Sequence, residues 1–594
     1  MFDGKFAAEL HYHYLIDMIE PLSPQKRFLL LLGQYPSEIR YVIMYAVVAG
    51  LINLSLPLGI QAIIGQILGG GINASWGVLV LCVLVGAALT GILRIMQLSV
   101  VEYVQRRVFT ESAMEFAVRI PRLDLEMLRK EYIPELVNRF FDTLSIQKGL
   151  PKILIDGSTA VLQIFFSLLL LSIYHPSFLS FSLILIGVLA LLFYWIAPRG
   201  LQTSLEESKY KYKLVFWLEE MGRVSTTFKL AGANDFPLKR TDEITTAYLE
   251  ARAKHWRVLM VKFFSSMVFK VLTLGSFLVL GSILVMENEL NIGQFVASEI
   301  LILYVIDSVE KLIILHETGY DVLTAVEKLG QVADLPLERE GGMKVEEFCE
   351  KAQPLAIEIR NLSYQFQDGS APILKNIFLK INPGERVAVA GYDASGKSTL
   401  MQILSVVRRD FTGTLLYNGL PEQNLNLRSL REHIGDMSSQ DDIFKGTILE
   451  NITLGNNKIS ITRALQVIED VGLNDFVREA PMGLETSLLP SGINIPKSII
   501  TKILLARGVA ALPNLLVMEN PLKGLNFKDR ISIAQYLTAK DKFWTFVCVT
   551  EDPVMAAVCD RVLILKSGEI TFEGTFEEAV RSKEYEKVFR SNLI

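Results

Sequence analysis

Six long apolar segments, all before residue 320, restrict the possible folds of this 594-residue chain more than any other feature. Each has about the 20 residues that an α-helix needs to cross a bilayer. A buried core helix could explain one such segment, but six of this length favour a membrane protein, in agreement with a mean hydropathy of +0.35. The segments lie at about 41–64, 76–98, 155–174, 178–197, 263–285 and 293–315. We therefore predict a six-helix transmembrane domain over residues 39–334.

The connections between these segments predict their orientation. The connections after the second and fourth segments are long and rich in arginine and lysine, whereas those at 65–75, 175–177 and 287–292 contain neither residue. Positive charge marks the cytoplasmic side of a membrane protein. Six segments then place both termini in the cytoplasm. The two long connections contain few helix breakers, so we expect them to extend the membrane helices into the cytosol.

The N-terminal segment, 1–38, contains a helix start signal. Ser23 stands before Pro24, and Lys26 and Arg27 precede a run of apolar residues. A cap-forming residue followed by proline at the first helical position is typical of a helix N-terminus. This pattern predicts an amphipathic helix that lies along the inner membrane surface.

Charge and cysteine usage exclude two classes of protein. The formal net charge is −5, whereas nucleic-acid binders usually have a basic domain or stripe. Cys82, Cys349, Cys548 and Cys559 are too few and too scattered for a disulfide framework or a zinc cluster. We expect no nucleic-acid partner.

Three ionisable residues lie inside the predicted membrane segments: Lys270, Glu299 and Asp307. Such residues are costly in a bilayer and usually face a cavity or a partner. At the helical rise, Lys270 and Asp307 both lie about 22 Å from the outer surface. We predict that these two residues form an ion pair or line a wet pathway together. Alternatively, both lie at the inner interface and extend to water independently.

A second region follows a change in composition. Residues 335–354 contain Pro336, Gly341 and Gly342 within charge-rich sequence and are predicted to form a linker. Residues 355–594 alternate strand and helix signals, as expected of a soluble domain.

A glycine-rich loop in this domain lies between an apolar strand, 387–390, and an apolar helical stretch, 400–404. The strand–loop–helix setting with GxxxxGK[ST] predicts a phosphate-binding loop, in which backbone N–H groups surround phosphates and the lysine reaches the terminal phosphates. The helix N-terminus adds a favourable dipole. The predicted nucleotide-binding residues here are Gly391, Asp393, Ala394, Ser395, Gly396, Lys397, Ser398 and Thr399.

With these features the chain resembles a half-transporter of the ATP-binding-cassette (ABC) exporter family over nearly its whole length. Residues 444–452, 503–507 and 560–568 match stretches of the family's cassette in the family's order. The resemblance implies an all-α membrane domain of the type I ABC exporter kind and a cytosolic α/β P-loop cassette that binds ATP and Mg²⁺. By general appearance, the nearest subgroup is the bacterial peptide and protein exporters, which implies the inner membrane of a bacterium.

The resemblance also assigns an adenine-stacking position. Phe366 ends the stretch 362–366, where the family has the aromatic residue that stacks on adenine. Alternatively, Phe366 is a core aromatic residue on a strand. For Mg²⁺, the resemblance implies Ser398, Glu519 and either Ser439 or Gln440 as ligands.

Residues that the family uses for hydrolysis are replaced here. Asn520 stands where the family has the glutamate that activates water, and an amide cannot accept a proton at any useful pH. Asn526 replaces an aspartate. Glu551 stands in place of the switch histidine, where a carboxylate should repel a γ-phosphate. We therefore assign no catalytic residue: Asn520 and Glu551 replace the usual glutamate and histidine.

The signature motif of the family is altered as well. A gapless alignment places it on Ile495–Ile499, where Pro496 removes a hydroxyl and a backbone donor and Lys497 replaces a glycine. A rival placement on Pro490–Gly492 requires a slip of five residues along the sequence.

These features predict an exporter-like subunit that binds ATP with weak or absent hydrolysis and exports a peptide, a protein or another amphiphilic substrate. The family pairs two cassettes head to tail, so the expected partner is a second half-transporter, in a homodimer or a heterodimer. Membrane lipid and a periplasmic adaptor protein are further expected partners. The alternative is a catalytically inactive pseudo-ATPase that acts as a scaffold or regulator in a membrane secretion complex.

Overall fold

The structure is a computed structural model of the chain. It describes residues 22–69, 74–124, 132–232, 235–350, 353–366, 371–437 and 443–589, and at 192–199 it describes the backbone alone. The chain divides into two compact units, Met1–Leu337 and Glu338–Ile594.

The first unit is helical throughout its described residues. Its α-helices are α1 (Pro24–Gly33), α2 (Pro36–Asn53), α3 (Ser55–Leu68), α4 (Ala74–Arg119), α5 (Ile133–Asn138), α6 (Asp142–Pro151), α7 (Ser158–Tyr174), α8 (Pro176–Arg223), α9 (Ser225–Leu230), α10 (Phe236–Met286) and α11 (Ile292–Ala333). A π-helical stretch, Lys152–Gly157, follows Pro151 directly. Proline has no N–H to donate, which explains the local change in helix type.

Five helical stretches among the described residues are long and apolar enough to cross a membrane. They are Pro36–Leu68, Ala74–Arg122, Ile133–Tyr174, Phe236–Met286 and Ile292–Ala333. A shorter apolar stretch, Pro176–Leu191, belongs to α8. All six predicted segments therefore lie in helices, and α4, α8 and α10 extend well beyond them. Among the described residues the two long connections are largely helical, as predicted, but neither is one continuous helix: α5 and α6 follow α4 in the first, and α9 stands between α8 and α10 in the second.

Helix α1 begins where the sequence predicts it. The Ser23 side chain accepts a hydrogen bond from the N–H of Lys26 at 3.4 Å, and Pro24 is the first helical residue. Arg27 is buried, lies 3.3 Å from the Glu327 carboxylate, and donates to Asp334 at the C-terminal end of α11. Arg27 therefore ties α1 to α11, and Leu31 and Leu32 pack in a cluster that includes residues of α11, whereas Leu29 and Leu30 are exposed.

The predicted Lys270–Asp307 pair is wrong. Lys270 Nζ lies 3.5 Å from a carboxylate oxygen of Glu310, and Asp307 pairs with Lys311 at 2.6 Å, one turn along its own helix. Residues four apart on a helix are neighbours on its surface, so Asp307 finds its partner locally. Lys270 then pairs across helices with a residue nearly one turn further along α11. Lys270 and Asp307 do form ion pairs, but their partners are Glu310 and Lys311.

The second unit contains three sheets among its described residues. The strands are β1 (Ile357–Tyr364), β2 (Leu374–Ile381), β3 (Arg386–Gly391), β4 (Thr412–Tyr417), β5 (Leu420–Pro421), β6 (Ile434–Met437), β7 (Gly446–Thr447), β8 (Ser487–Leu488), β9 (Leu515–Glu519), β10 (Thr545–Val549), β11 (Arg561–Lys566) and β12 (Glu569–Gly574). The central sheet has the order β12-β11-β3-β10-β9-β6 and is parallel except for β12. An antiparallel sheet has the order β2-β1-β4-β5, and β7 pairs with β8.

Ten α-helices lie among the described residues of the second unit. They are α12 (Lys397–Leu404), α13 (Leu427–Glu432), α14 (Ile448–Thr453), α15 (Ile461–Asp470), α16 (Asn474–Glu479), α17 (Lys497–Ala510), α18 (Phe527–Thr538), α19 (Pro553–Val558), α20 (Phe576–Arg581) and α21 (Tyr585–Val588).

Strand β3 shows why the apolar run 387–390 forms a central strand. Successive side chains point to opposite faces. Val387 and Val389 pack in the core that contains the antiparallel sheet, and Ala388 and Ala390 pack in the core that contains α17 and α18. A strand buried on both faces has a continuous apolar sequence, as observed here.

The parallel strands β3, β9 and β10 end at the same edge of the sheet. Val549 at the end of β10 is in register with Val389 of β3 and with Glu519 of β9. Ligands of open α/β sheets bind at the carboxyl ends of the strands. We therefore expect a functional site at this edge of the sheet.

Candidate functional site

Two glycines shape the loop between β3 and α12. A Cβ atom at Gly391 would lie 2.3 Å from the carbonyl oxygen of Leu565, and one at Gly396 would lie 2.7 Å from Leu374 Cδ2. Gly396 also has φ = +96°, which favours glycine. Between them, Ala394 is left-handed with φ = +57°, a conformation that costs an L-residue about 1 kcal/mol. The loop therefore curls tightly just before α12.

The ammonium group of Lys397 points back into this loop. Its Nζ donates hydrogen bonds to the carbonyl oxygens of Gly391 at 2.7 Å and Tyr392 at 2.8 Å. The Lys397 side chain is 11% exposed, and a carboxylate oxygen of Glu551 lies 3.7 Å from Nζ. The lysine that the sequence predicts to bind phosphate is thus held in the loop and paired with an acid.

The neighbouring pair of oxygen groups fits a magnesium ion. The Ser398 hydroxyl donates to a Glu519 carboxylate oxygen at 2.8 Å. Mg²⁺ prefers oxygen ligands and commonly takes one or two from protein, the rest coming from phosphates and water. The buried Ser395 hydroxyl, which has no hydrogen-bond partner among the described residues, adds an unsatisfied polar group to the loop. Ser398 and Glu519 would hold Mg²⁺, whose charge would offset that of bound phosphates.

The sheet brings the altered residues to this same edge. Asn520 directly follows Glu519, and its backbone N–H donates to the carbonyl oxygen of Val549 at 2.8 Å. Its φ is +49°, a region in which asparagine is enriched among non-glycine residues. Glu551 follows β10, two residues after Val549. Asn526 lies at the start of α18 instead, where its side chain accepts from the N–H of Asp529 at 2.9 Å and caps the helix.

Phe366 is partly buried against the core rather than free. Its ring makes an edge contact with Tyr364 at 5.4 Å between centroids, and the Arg408 guanidinium lies 5.5 Å from its ring centre. The residue thus has packing partners of its own, which is the arrangement expected of the core alternative. Its adenine-stacking role stays a prediction. The two alternative ligands Ser439 and Gln440 lie outside the described residues.

The start of α17 carries the gapless alignment of the signature motif. Pro496 precedes the helix and Lys497 is its first residue. Pro490–Gly492 instead forms a separate 3₁₀ turn with Ser491 at φ = +55°. The two alternative placements of the motif thus correspond to a helix N-terminus and to a tight turn.

The contact between the loop residue Tyr392 and Glu584 has no counterpart in the sequence predictions. The Tyr392 hydroxyl donates to the carboxylate of Glu584, and Lys566 lies 5.3 Å from the centre of the Tyr392 ring. The hydrogen bond from Tyr392 lowers the pKa of the Glu584 carboxyl, and the same bond raises the pKa of Tyr392. No local motif signals this contact, because the two residues are 192 positions apart.

Comparison with known families accounts for both units. The ABC transporter transmembrane region matches residues 39–309, and the ABC transporter domain matches residues 374–523. Together they cover more than half of the chain. The chain belongs to the ABC transporter family. Membership confirms the family resemblance, and it makes the second unit an ATP-binding cassette.

Several relatives of this ABC transporter chain take part in translocation or transport. The alpha-hemolysin translocation ATP-binding protein HlyB of Escherichia coli O157:H7 is 26% identical over 51% of the chain and 43% of HlyB. The mesentericin-Y105 transport/processing ATP-binding protein MesD of Leuconostoc mesenteroides is 27% identical over 51% of the chain and 41% of MesD. The ATP-dependent lipid A-core flippase of Burkholderia orbicola is 26% identical over 50% of the chain and 49% of the flippase. The matched part of the chain thus spans less than half the length of each relative.

A solved structure confirms the fold. A bacterial Atm1-family ABC exporter with ATP bound has a TM-score of 0.82, covers 94% of this chain and 99% of its own, and is 17% identical. The predicted fold class, a helical membrane domain with an α/β cassette, is confirmed.

The arrangement at the sheet edge separates two kinds of chemistry. The loop, Lys397 and the Ser398–Glu519 pair provide cationic, N–H and oxygen groups that suit a nucleotide with its metal. At the end of β9, Asn520 provides an amide, which cannot take a proton from water. This edge can therefore hold a nucleotide, but Asn520 cannot activate water to attack it.

Proposed function

We propose that this ABC transporter chain is an exporter subunit that binds ATP with Mg²⁺ and hydrolyses it slowly or not at all. One observation carries the proposal: at a sheet edge with a complete phosphate loop, Asn520 follows Glu519 where a general base is needed. Loss of a general base typically slows catalysis about 10²–10⁴-fold. Binding depends on the loop and is expected to persist.

The substrate, assembly and location belong to the same proposal. The translocation and transport proteins among the relatives support export of a peptide, a protein or another amphiphilic substrate. We propose that the chain works in a dimer with a second half-transporter, in the inner membrane of a bacterium and with a periplasmic adaptor protein as a further partner. The basic connections between membrane segments support cytoplasmic termini and a cytoplasmic cassette.

A pseudo-ATPase that acts as a scaffold or regulator is the second candidate. It is favoured by the contact between Glu551 and Lys397, which puts an acid beside the lysine that would bind the terminal phosphates. In this case ATP stabilises a closed dimer and no turnover is needed.

The test is ATPase turnover of the purified full chain in lipid nanodiscs, alone and mixed with candidate second half-transporters. We expect very slow turnover alone. An increase with a partner, abolished by Lys397→Ala in this chain, supports the exporter subunit. Binding of ATP without turnover in any mixture supports the scaffold. Rapid turnover by the chain alone, abolished by Lys397→Ala, would contradict the proposal.

A further inference from the structure

We infer that Glu551 sets the nucleotide preference of the site: it competes with a γ-phosphate for Lys397, so that the site favours a nucleoside diphosphate over a triphosphate. The inference rests on the proposed nucleotide site and concerns which nucleotide occupies it. It is carried by the contacts of Lys397 and by the way the chain holds Glu551.

The ammonium of Lys397 has three N–H donors. Two hydrogen bonds go to the carbonyl oxygens of Gly391 and Tyr392, at 2.7 and 2.8 Å. A carboxylate oxygen of Glu551 lies 3.7 Å from the same nitrogen. The charge of Lys397 is therefore already shared with an anion of the protein, and a terminal phosphate has to displace that anion or share the lysine with it.

The chain around Glu551 is fixed on both sides, so the carboxylate cannot leave by a simple movement of the backbone. Thr550 is buried, and its N–H donates to the carbonyl oxygen of Val389 at 3.0 Å. Asp552 caps α19, accepting from the N–H of Val554 at 3.0 Å, and it also pairs with Arg530. Only the side chain of Glu551 is left to adjust.

The charges at this edge disfavour the γ-phosphate of a bound triphosphate. The Glu551 carboxylate lies beside the Lys397 ammonium, and the Glu519 carboxylate contacts the hydroxyl of the adjacent Ser398. Glu519 contacts Ser398 and remains useful to a nucleotide, because a metal ion can share both groups. Glu551 lies beside Lys397, and its negative charge would repel a γ-phosphate, because like charges brought close together raise the free energy. ATP differs from ADP by the γ-phosphate, so the cost falls on ATP.

The magnitude is moderated by solvent. Glu551 is 35% exposed, so water and salt weaken its interaction with a bound phosphate. We expect a change of about tenfold in relative affinity, equivalent to about 1.4 kcal/mol.

The experiment measures the dissociation constants of the full chain for Mg²⁺-ADP and for Mg²⁺ with the non-hydrolysable β,γ-imido analogue of ATP. Glu551→Gln and Glu551→Ala remove the charge, and Glu551→Asp keeps it. The control is Glu469→Gln, the same change of charge at an exposed position of α15. We expect both neutral variants to shift the preference toward the triphosphate about tenfold, the Asp variant to keep much of the diphosphate preference, and the control to match the unmodified chain.

Two results would overturn the inference: an unchanged preference in both neutral variants, or an equal shift in Glu469→Gln. If a variant binds Mg²⁺-ADP with unchanged affinity, its nucleotide site is still correctly folded. Failure of the proposed function looks different, because the unmodified chain would then bind neither nucleotide better than Lys397→Ala does.

Discussion

Two ion pairs, one in each unit, hold charges in different ways. In the cassette, Lys397 is 11% exposed and lies in a tight loop, fixed by two carbonyl oxygens besides Glu551. In the helical unit, Lys270 on α10 and Glu310 on α11 are 54% and 53% exposed and lie within predicted membrane segments. Lys397 is held in a position from which it can bind a ligand, whereas Lys270 mainly neutralises the charge of Glu310. Replacing Lys397 should therefore affect nucleotide affinity, whereas replacing Lys270 should affect the stability of the helical unit.

The largest effect is expected for Lys397→Ala on nucleotide affinity. A hydrogen bond to a charged group contributes about 1.5–3 kcal/mol, so affinity for Mg²⁺-ADP should fall about 10- to 100-fold. Thermal unfolding without nucleotide shows whether the variant still folds. Lys540→Ala is the matched control, because Lys540 is exposed and precedes β10 at the opposite edge of the sheet. Calorimetric titration checks the affinity. Equal affinities for the two variants would remove the distinction between the ion pairs.

The next effect is expected for Lys270 and Glu310, in stability rather than binding. Each single change to alanine leaves one charge without its partner in an apolar region, and the double change removes both charges. We expect a coupling free energy of about 1–3 kcal/mol in the double-mutant cycle, measured by unfolding in lipid nanodiscs. Nucleotide affinity should be unchanged.

The exposed Glu102–Arg106 pair on α4 provides the comparison for that cycle. Four residues apart on a helix and outside the predicted membrane segments, it should couple by about 0.3–0.5 kcal/mol. If the coupling free energy of Lys270 and Glu310 is as small as that of Glu102 and Arg106, both side chains are surrounded by water.

The smallest effect is expected for Asn520→Glu on turnover. The variant restores a base, but Glu551 and the altered start of α17 remain, so we expect a gain of less than about tenfold, well below the 10²–10⁴-fold that a general base can contribute. Position 520 is also left-handed, which disfavours glutamate by about 1 kcal/mol. Steady-state phosphate release measures the gain, with Asn520→Asp as the control. Recovery of rapid turnover would show that the alignment of α17 with the signature motif is mistaken.

The cassette site could be anticipated from sequence to a greater extent than the membrane contacts. Parallel strands end at a common edge, so residues that follow β3, β9 and β10 meet even though they are far apart in the chain. The segments from Gly391 to Thr399 and around Glu519 and Glu551 therefore came together as their strand positions imply. The ion pair between Lys397 and Glu551 was not foreseen, because a sequence motif names positions but not the direction of a side chain.

The membrane helices offered no comparable rule. Apolar length predicts that a helix crosses the bilayer, but not how it rotates against its neighbours. Depth alone matched Lys270 with Asp307, whereas the i,i+4 spacing of Asp307 and Lys311 was the available signal for the local pair. The contact between Tyr392 and Glu584 had no sequence signal at all, since tertiary packing alone brings them together.

We propose that one edge of the sheet binds ATP without the means to hydrolyse it. The most direct measurement follows the fate of bound ATP: the full chain is saturated with Mg²⁺ and labelled ATP, separated from free nucleotide, and sampled over time for bound ATP and ADP. We expect the retained nucleotide to stay ATP over many minutes, and we expect Lys397→Ala to retain much less of it. Rapid conversion of the bound ATP to ADP by the chain alone would contradict the account.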